Sequence, residues 1–81
     1  MSSESQSDRT IDCTGLYCPE PVFRTRIALD EMEKGEILEV VADDPAAEED
    51  MKSLIKHLGH SILEIRKQEK VLHIFIRKEN E

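Results

Sequence analysis

Cys18-Pro19-Glu20-Pro21 is the stretch of this sequence whose residue types and spacing best suit covalent chemistry, and Cys13 lies just upstream. Cysteine reacts as its thiolate, and cysteines at helix N-termini have their pKa lowered. The pattern puts Cys18 at the N-cap of a helix and Pro19 at the first helical position, where a missing N–H costs nothing. Unpaired N–H groups and the positive end of the helix dipole then favour a thiolate. Pro19 and Pro21 carry no N–H, so Glu20 and Val22 supply the amides against which a terminal sulfur atom can rest. The two rings also fix φ and keep the loop-to-helix joint stiff, holding the thiol outward. The Glu20 carboxylate opposes thiolate formation, and the sequence leaves the sign of the net shift open. A plainer reading makes Cys18 a small, partly buried residue that happens to precede a helix.

The surrounding elements follow from periodicity. Arg9 to Cys13 reads as a strand with Ile11 and Cys13 on one face and Asp12 on the other. Thr14 to Tyr17 is a loop in which Gly15 supplies backbone freedom. From Pro19 to about Lys34, Val22, Thr25, Ala28, Leu29 and Met32 recur at helical spacing. Lys34-Gly35 reads as the end of that helix, a cation in the last turn with a glycine just beyond it. Glu36 to Asp43 is a mostly apolar strand. Asp44-Pro45 predicts an N-cap and first helical residue, and Ala47, Met51, Leu54, Ile55 and Leu58 give the second helix its apolar stripe. Lys56 and His57 precede Gly59 at its end. Ser61 to Lys67 and Val71 to Lys78 form a hairpin about Gln68-Glu69-Lys70. The order is βαβαββ, and right-handed crossovers put both helices on one face of a four-stranded mixed sheet, an α/β (α+β) two-layer sandwich. In the last strand both rows, Leu72/Ile74/Ile76 and Val71/His73/Phe75, are substantially apolar, so the sheet's open face is not expected to be wholly solvated.

With 81 residues and a formal net charge of −7, one compact domain is expected. Residues 9–78 form it, residues 1–8 a disordered lead-in, and residues 79–81 a short tail. A chain this small buries only about 60–65 % of its unfolded surface, which disfavours a deep substrate cavity. No run is apolar enough for a membrane span or an export signal, so the expected compartment is a reducing cytoplasm with both thiols free. The acidic balance argues against autonomous nucleic-acid binding and permits docking on basic protein surfaces.

The stretch Ile11-Asp12-Cys13-Thr14-Gly15-Leu16-Tyr17-Cys18-Pro19-Glu20-Pro21 resembles the signature of the SirA/TusA-like sulfur-carrier family: an Asp, then Gly-Leu, then Cys-Pro-x-Pro. The likeness continues through Gly35, Val40 to Ala46, Asp50, Gly59-His60 and Phe75 to Lys78. It implies a two-layer sandwich, also known from the C-terminal domain of translation initiation factor 3. It further implies that Cys18 accepts sulfur as a persulfide, usually from a cysteine desulfurase, and relays it to another protein. Acceptor pathways in the family include tRNA thiolation, molybdenum-cofactor synthesis and sulfur oxidation, with no cofactor required. Asp12, Gly15, Pro19, Pro21 and Arg26 match family positions around the site. Three rivals stay open: a thiosulfate carrier on Cys18, a non-catalytic interaction module, and a dithiol redox pair with Cys13.

Cys13 is not part of the family pattern. Its place beside Ile11 suits a core thiol, and a disulfide with Cys18 needs Cα atoms within roughly 7 Å. Phe23 and Ile27 lie off the buried stripe beside Arg24 and Arg26, as an apolar, basic-rimmed docking patch or as helix-edge packing. Helix capping accounts for three of Asp43, Asp44, Glu48, Glu49 and Asp50, and no loop there has calcium-ligand spacing. His57, His60 and His73 stand at no metal-ligand spacing with either cysteine, and no metal is assigned.

Overall fold

The computed structural model describes residues 7–80. Six elements follow in order: β1 (Arg9–Cys13), α1 (Glu20–Asp30), β2 (Ile37–Ala42), α2 (Ala47–Leu58), β3 (Ser61–Gln68) and β4 (Val71–Arg77). The sheet order is β1-β2-β4-β3, with β1 parallel to β2 and the other pairs antiparallel. Strict alternation in β2 buries Leu38, Val40 and Ala42 while Ile37, Glu39 and Val41 stay half-buried on the opposite face. Those three residues, with Cys13, Leu72, Ile74 and Ile76, meet Ala28, Leu29 and Met32 from the α1 side and Ala47, Met51 and Ile55 from α2 in one core. Both helices therefore cover the same sheet face, as the sequence pattern requires.

The open face is only partly wet. Phe75 is buried there beneath the Arg66 guanidinium, 5.3 Å from the ring centroid, and His73 Nδ1 lies 2.8 Å from the Glu39 carboxylate. In β3 the register slips between Ile62 and Glu64. This bulge lets Ile62 and Ile65, three apart, both pack against the core.

Two expected helix boundaries move. The first helix stops at Asp30 rather than near Lys34, because Lys78 Nζ donates to the carbonyls of Leu29 and Met32 at 2.6 and 2.7 Å. The Glu33 N–H, which a continuing helix would give to Leu29, goes instead to Glu36 Oε1 at 2.9 Å. The cation at the helix end is thus Lys78, from the far end of the chain. The second helix starts at Ala47, with Ala46 as its N-cap, and Asp44-Pro45 forms a preceding turn closed by Ala47 N–H to Asp44 O at 2.9 Å.

Of the expected disordered lead-in, residues 1–6 lie outside the described residues. Asp8 is docked on β2, its N–H donating to Ile37 O and its carboxylate accepting the Ile37 N–H, both at 2.8 Å. At the other end, Asn80 Nδ2 donates to Leu58 O at 2.8 Å and Glu79 N–H to His60 Nδ1 at 3.0 Å, so residues 79–80 close the end of α2. Residue 81 lies outside the described residues.

Thr25 is fully buried on α1, and its hydroxyl has no hydrogen-bond partner among the described residues. A buried, unpaired hydroxyl costs about 1–3 kcal/mol relative to an apolar group of the same shape. Thr25→Val is therefore expected to stabilise the domain by about 1 kcal/mol, raising the thermal midpoint by roughly 4–8 °C. Circular-dichroism melts of the two proteins check this.

Candidate functional site

The turn between β1 and α1 is fastened from both sides. Asp12 accepts the Thr14 N–H at 3.0 Å and the Thr14 hydroxyl at 2.6 Å. These bonds hold its carboxyl below the usual range. Gly15 then takes φ +82°, in the left-handed region where a side chain would be strained, and its N–H donates to Asp43 Oδ1 at 2.9 Å. Three residues on, the Cys18 N–H donates to Asp44 Oδ2 at 2.8 Å, while Asp44 Oδ1 accepts the Ala46 N–H at 3.1 Å. One carboxylate thereby joins the cysteine backbone to the turn that starts α2.

Cys18 stands one residue further from the helix than expected. Pro19 occupies the N-cap of α1 after a cis peptide bond, and Pro21 is buried in the first turn. The Glu20 amide does not face the sulfur, because it donates to Tyr17 O at 2.8 Å. The Cys18 thiol instead donates to Asp50 Oδ2 at 2.6 Å, across a sequence separation of 32 residues. That hydrogen bond, then burial, then the charges of Asp50 and Asp44 push the Cys18 pKa upward. The opposing carboxylates are therefore Asp50 and Asp44, and Glu20 is absent from the cause. The thiol is exposed and rests protonated.

Beside Cys18 lies an open groove of about 350 Å³ between the start of α1 and one face of α2. Its walls are Pro19 and Val22 on one side and Asp50, Ser53, Leu54 and His57 on the other. The spacing of the last four, at three, four and seven residues from Asp50, is that of a single helix face. Asp12 near the end of β1, Gly15 in the loop, and Pro19, Pro21 and Val22 at the start of α1 thus all belong to the segment that presents Cys18. Arg26 does not join them: it is exposed on α1, and no hydrogen bond or ion pair links it to the Cys18 loop among the described residues.

Asp50 and Asp44 are the side chains that sequence reasoning placed elsewhere, as helix-capping charges. Their relation to Cys18 is a tertiary contact that spacing along the chain does not reveal. Cys13 is fully buried in the core, and desolvation raises its pKa; both thiols are free. Phe23 and Ile27 are 56 % and 58 % exposed beside Arg24, and Tyr17, 76 % exposed, stands next to Cys18 in the loop. No group of three or more His, Cys, Asp or Glu side chains that could hold a metal ion occurs among the described residues. No helix among them is long and apolar enough to cross a membrane.

Residues 9–78 match the sequence model of the family described as sulfurtransferase TusA. A protein of Archaeoglobus fulgidus described as a sulfur carrier is 53 % identical over 70 residues, covering 86 % of this chain and 91 % of its own length. The sulfur carrier protein TusA of Allochromatium vinosum is 32 % identical over 71 residues, covering 88 % of this chain and 93 % of its own. Among solved structures, a SirA-like protein from Desulfitobacterium hafniense superposes with a TM-score of 0.78 at 28 % identity, covering 89 % of this chain and 99 % of that one.

Proposed function

The chain belongs to the TusA sulfurtransferase family, and from that membership we propose that it relays sulfur as a persulfide on Cys18. The observation that carries this reading is the exposed Cys18 thiol, held at the tip of a braced loop with Asp50 at 2.6 Å as a proton acceptor. Loading begins when Cys18 Sγ attacks the outer sulfur of a donor cysteine persulfide, such as one formed on a cysteine desulfurase. As the new S–S bond forms, the Cys18 proton passes to Asp50 and the donor's S–S bond breaks. The donor thiolate leaves with the electron pair and takes up a proton, so the balance is one thiol and one persulfide on each side. Release repeats the exchange, with a thiolate of the next protein attacking the outer sulfur on Cys18.

Asp12, Gly15, Pro19 and Pro21 act by fixing the loop. Glu20 serves through its backbone turn, and Val22 as an apolar groove wall. The partners are a donor and an acceptor protein; Tyr17 offers them apolar surface next to Cys18 in the loop, and Phe23 and Ile27 offer more on a separate groove of α1. Neither transfer step calls for a cofactor, and the chemistry suits a cytoplasmic setting where free thiols persist.

The test is incubation with a cysteine desulfurase and cysteine, followed by intact-protein and peptide mass spectrometry. The expected product gains one sulfur atom on the peptide containing Cys18. Cys18→Ser gains none, and Cys13→Ser, lacking a thiol buried out of reach, loads normally. An adduct that survives Cys18→Ser would overturn the reading. Loss of loading in Cys13→Ser would favour a dithiol pair.

A further inference from the structure

We propose that, independently of its sulfur chemistry, the chain pairs with a second copy of itself along β1, antiparallel about a twofold axis at Ile11. β1 is an edge strand, with β2 on one side and, among the described residues, no strand on the other. The opposite edge, β3, carries a bulge and the charged residues Glu64, Arg66 and Lys67, devices that keep other strands away. β1 pairs with β2 without a register shift and holds no proline or lysine. It is the undefended edge.

The register follows from the existing ladder. Ile37 turns both its N–H and its C=O toward Asp8, while the C=O of neighbouring Glu36 turns the other way, to Lys78. Glu39 and Val41 therefore face β1 as Ile37 does. Thr10 lies opposite Glu39 and Asp12 opposite Val41, so in this parallel pair the bonds run to the residues flanking Thr10 and Asp12. The N–H and C=O of Thr10 and Asp12 are left to the free edge. An antiparallel copy centred on Ile11 sets Thr10 of each chain against Asp12 of the other, and each such pair exchanges both backbone bonds.

The surface beside that edge suits a second copy. Ile11, Phe23 and Ile27 line a groove of about 620 Å³ between β1 and α1. Phe23 and Ile27 are two of the four large apolar side chains left exposed among the described residues. The charges lining the groove cancel, Arg9 and Arg24 against Asp12 and Glu20, on a chain whose net charge is −7. Two copies can meet there without the repulsion that the rest of the surface imposes. Arg9 pairs with Glu31 just past the last turn of α1 at 2.7 Å, whereas Glu20 opens that helix. The twofold thus brings the Arg9 end of one groove to the Asp12–Glu20 end of the other. Both thiols stay open, because the Cys18 groove shares no lining residue with this one. A donor or acceptor protein that uses Phe23 and Ile27 competes with the second copy.

The test is sedimentation equilibrium in reducing buffer, which prevents disulfide dimers through Cys18. One short strand and two apolar side chains per copy make a small interface, so a Kd on the order of 100 µM is expected. The mass of the wild-type chain should climb with concentration from 9.3 kDa toward twice that value. Thr10→Pro deletes an outward N–H and spares the bonds to β2. Ile27→Glu puts a carboxylate into the apolar seam. Each is expected to weaken association about tenfold or more, while Leu63→Glu, exposed on β3, leaves it unchanged. Circular dichroism checks that each variant is folded. A wild-type chain that stays monomeric to about ten times that Kd would overturn the proposal. So would association at wild-type strength in either folded variant, or its loss in Leu63→Glu.

Discussion

Asp50→Asn is expected to make Cys18 react with iodoacetamide severalfold faster at pH 7, with the midpoint of the pH–rate profile displaced to lower pH. In the native protein the thiol donates a hydrogen bond to a carboxylate, and a negative neighbour disfavours a second negative charge on sulfur. An asparagine keeps the size of the side chain, removes the charge and can donate its own N–H to a thiolate. Because Cys13 is fully buried, the alkylation rate reports on Cys18 alone.

The same shift has a consequence for stability. A thiol whose folded pKa is raised contributes stability that is complete below the unfolded value of about 8.5 and is lost as pH climbs through the folded one. The alkaline decline of the native domain should therefore be shallower in the Asn variant. An unchanged profile would show that Asp50 does not govern the thiol in solution.

Lys78→Met is expected to lower the thermal midpoint by about 10–20 °C, corresponding to roughly 2–3 kcal/mol. Lys78 is almost wholly buried, with its ammonium bonded to the carbonyls of Leu29 and Met32. Those groups lie at the negative end of α1, where a cation is most favourable. Methionine fills the space but leaves both carbonyls facing an apolar side chain, and an unsatisfied buried acceptor carries its full desolvation cost. The backbone bonds of the same residue, Gly35 N–H to Lys78 O at 2.7 Å and Lys78 N–H to Glu36 O at 2.9 Å, survive the change. The loss therefore isolates the ammonium. Thermal melts measure it, and a fall under about 1 kcal/mol would mean that water reaches the carbonyls instead.

These two residues also mark where sequence reading runs out. Local pattern was enough for the elements: the strand alternation of β2, the apolar stripe of α2 and the Gly59 stop all stand where periodicity puts them, with Gly59 at φ +83°. Local pattern singled out Cys18 by its prolines, and that thiol is exposed. It failed wherever a distant residue supplied the deciding bond. Lys34 offered itself as the helix-ending cation, yet Lys78 does that work from just beyond the last strand. Asp44 read as a simple N-cap, yet half its carboxylate serves Cys18. The Glu20 amide read as free for the sulfur, but a turn to Tyr17 consumes it. Asp50 read as a favourable charge on the first turn of a helix, and nothing in its neighbours along the chain discloses that it points at a thiol. Apart from the Glu20 amide, whose turn closes over only three residues, each error concerns a contact whose partner is set by packing rather than by spacing.

The fastening of the Cys18 loop determines how the protein will respond to ionic strength. Asp43 and Asp44 bind backbone amides at 2.9 and 2.8 Å, contacts between touching groups that mobile ions screen far less than they screen separated charges. Exposed ion pairs such as Arg9–Glu31 weaken as salt is added, but the loop keeps its shape. Adding potassium chloride to a transfer assay will thus report on encounter between carrier and partner, with the geometry of the thiol held constant.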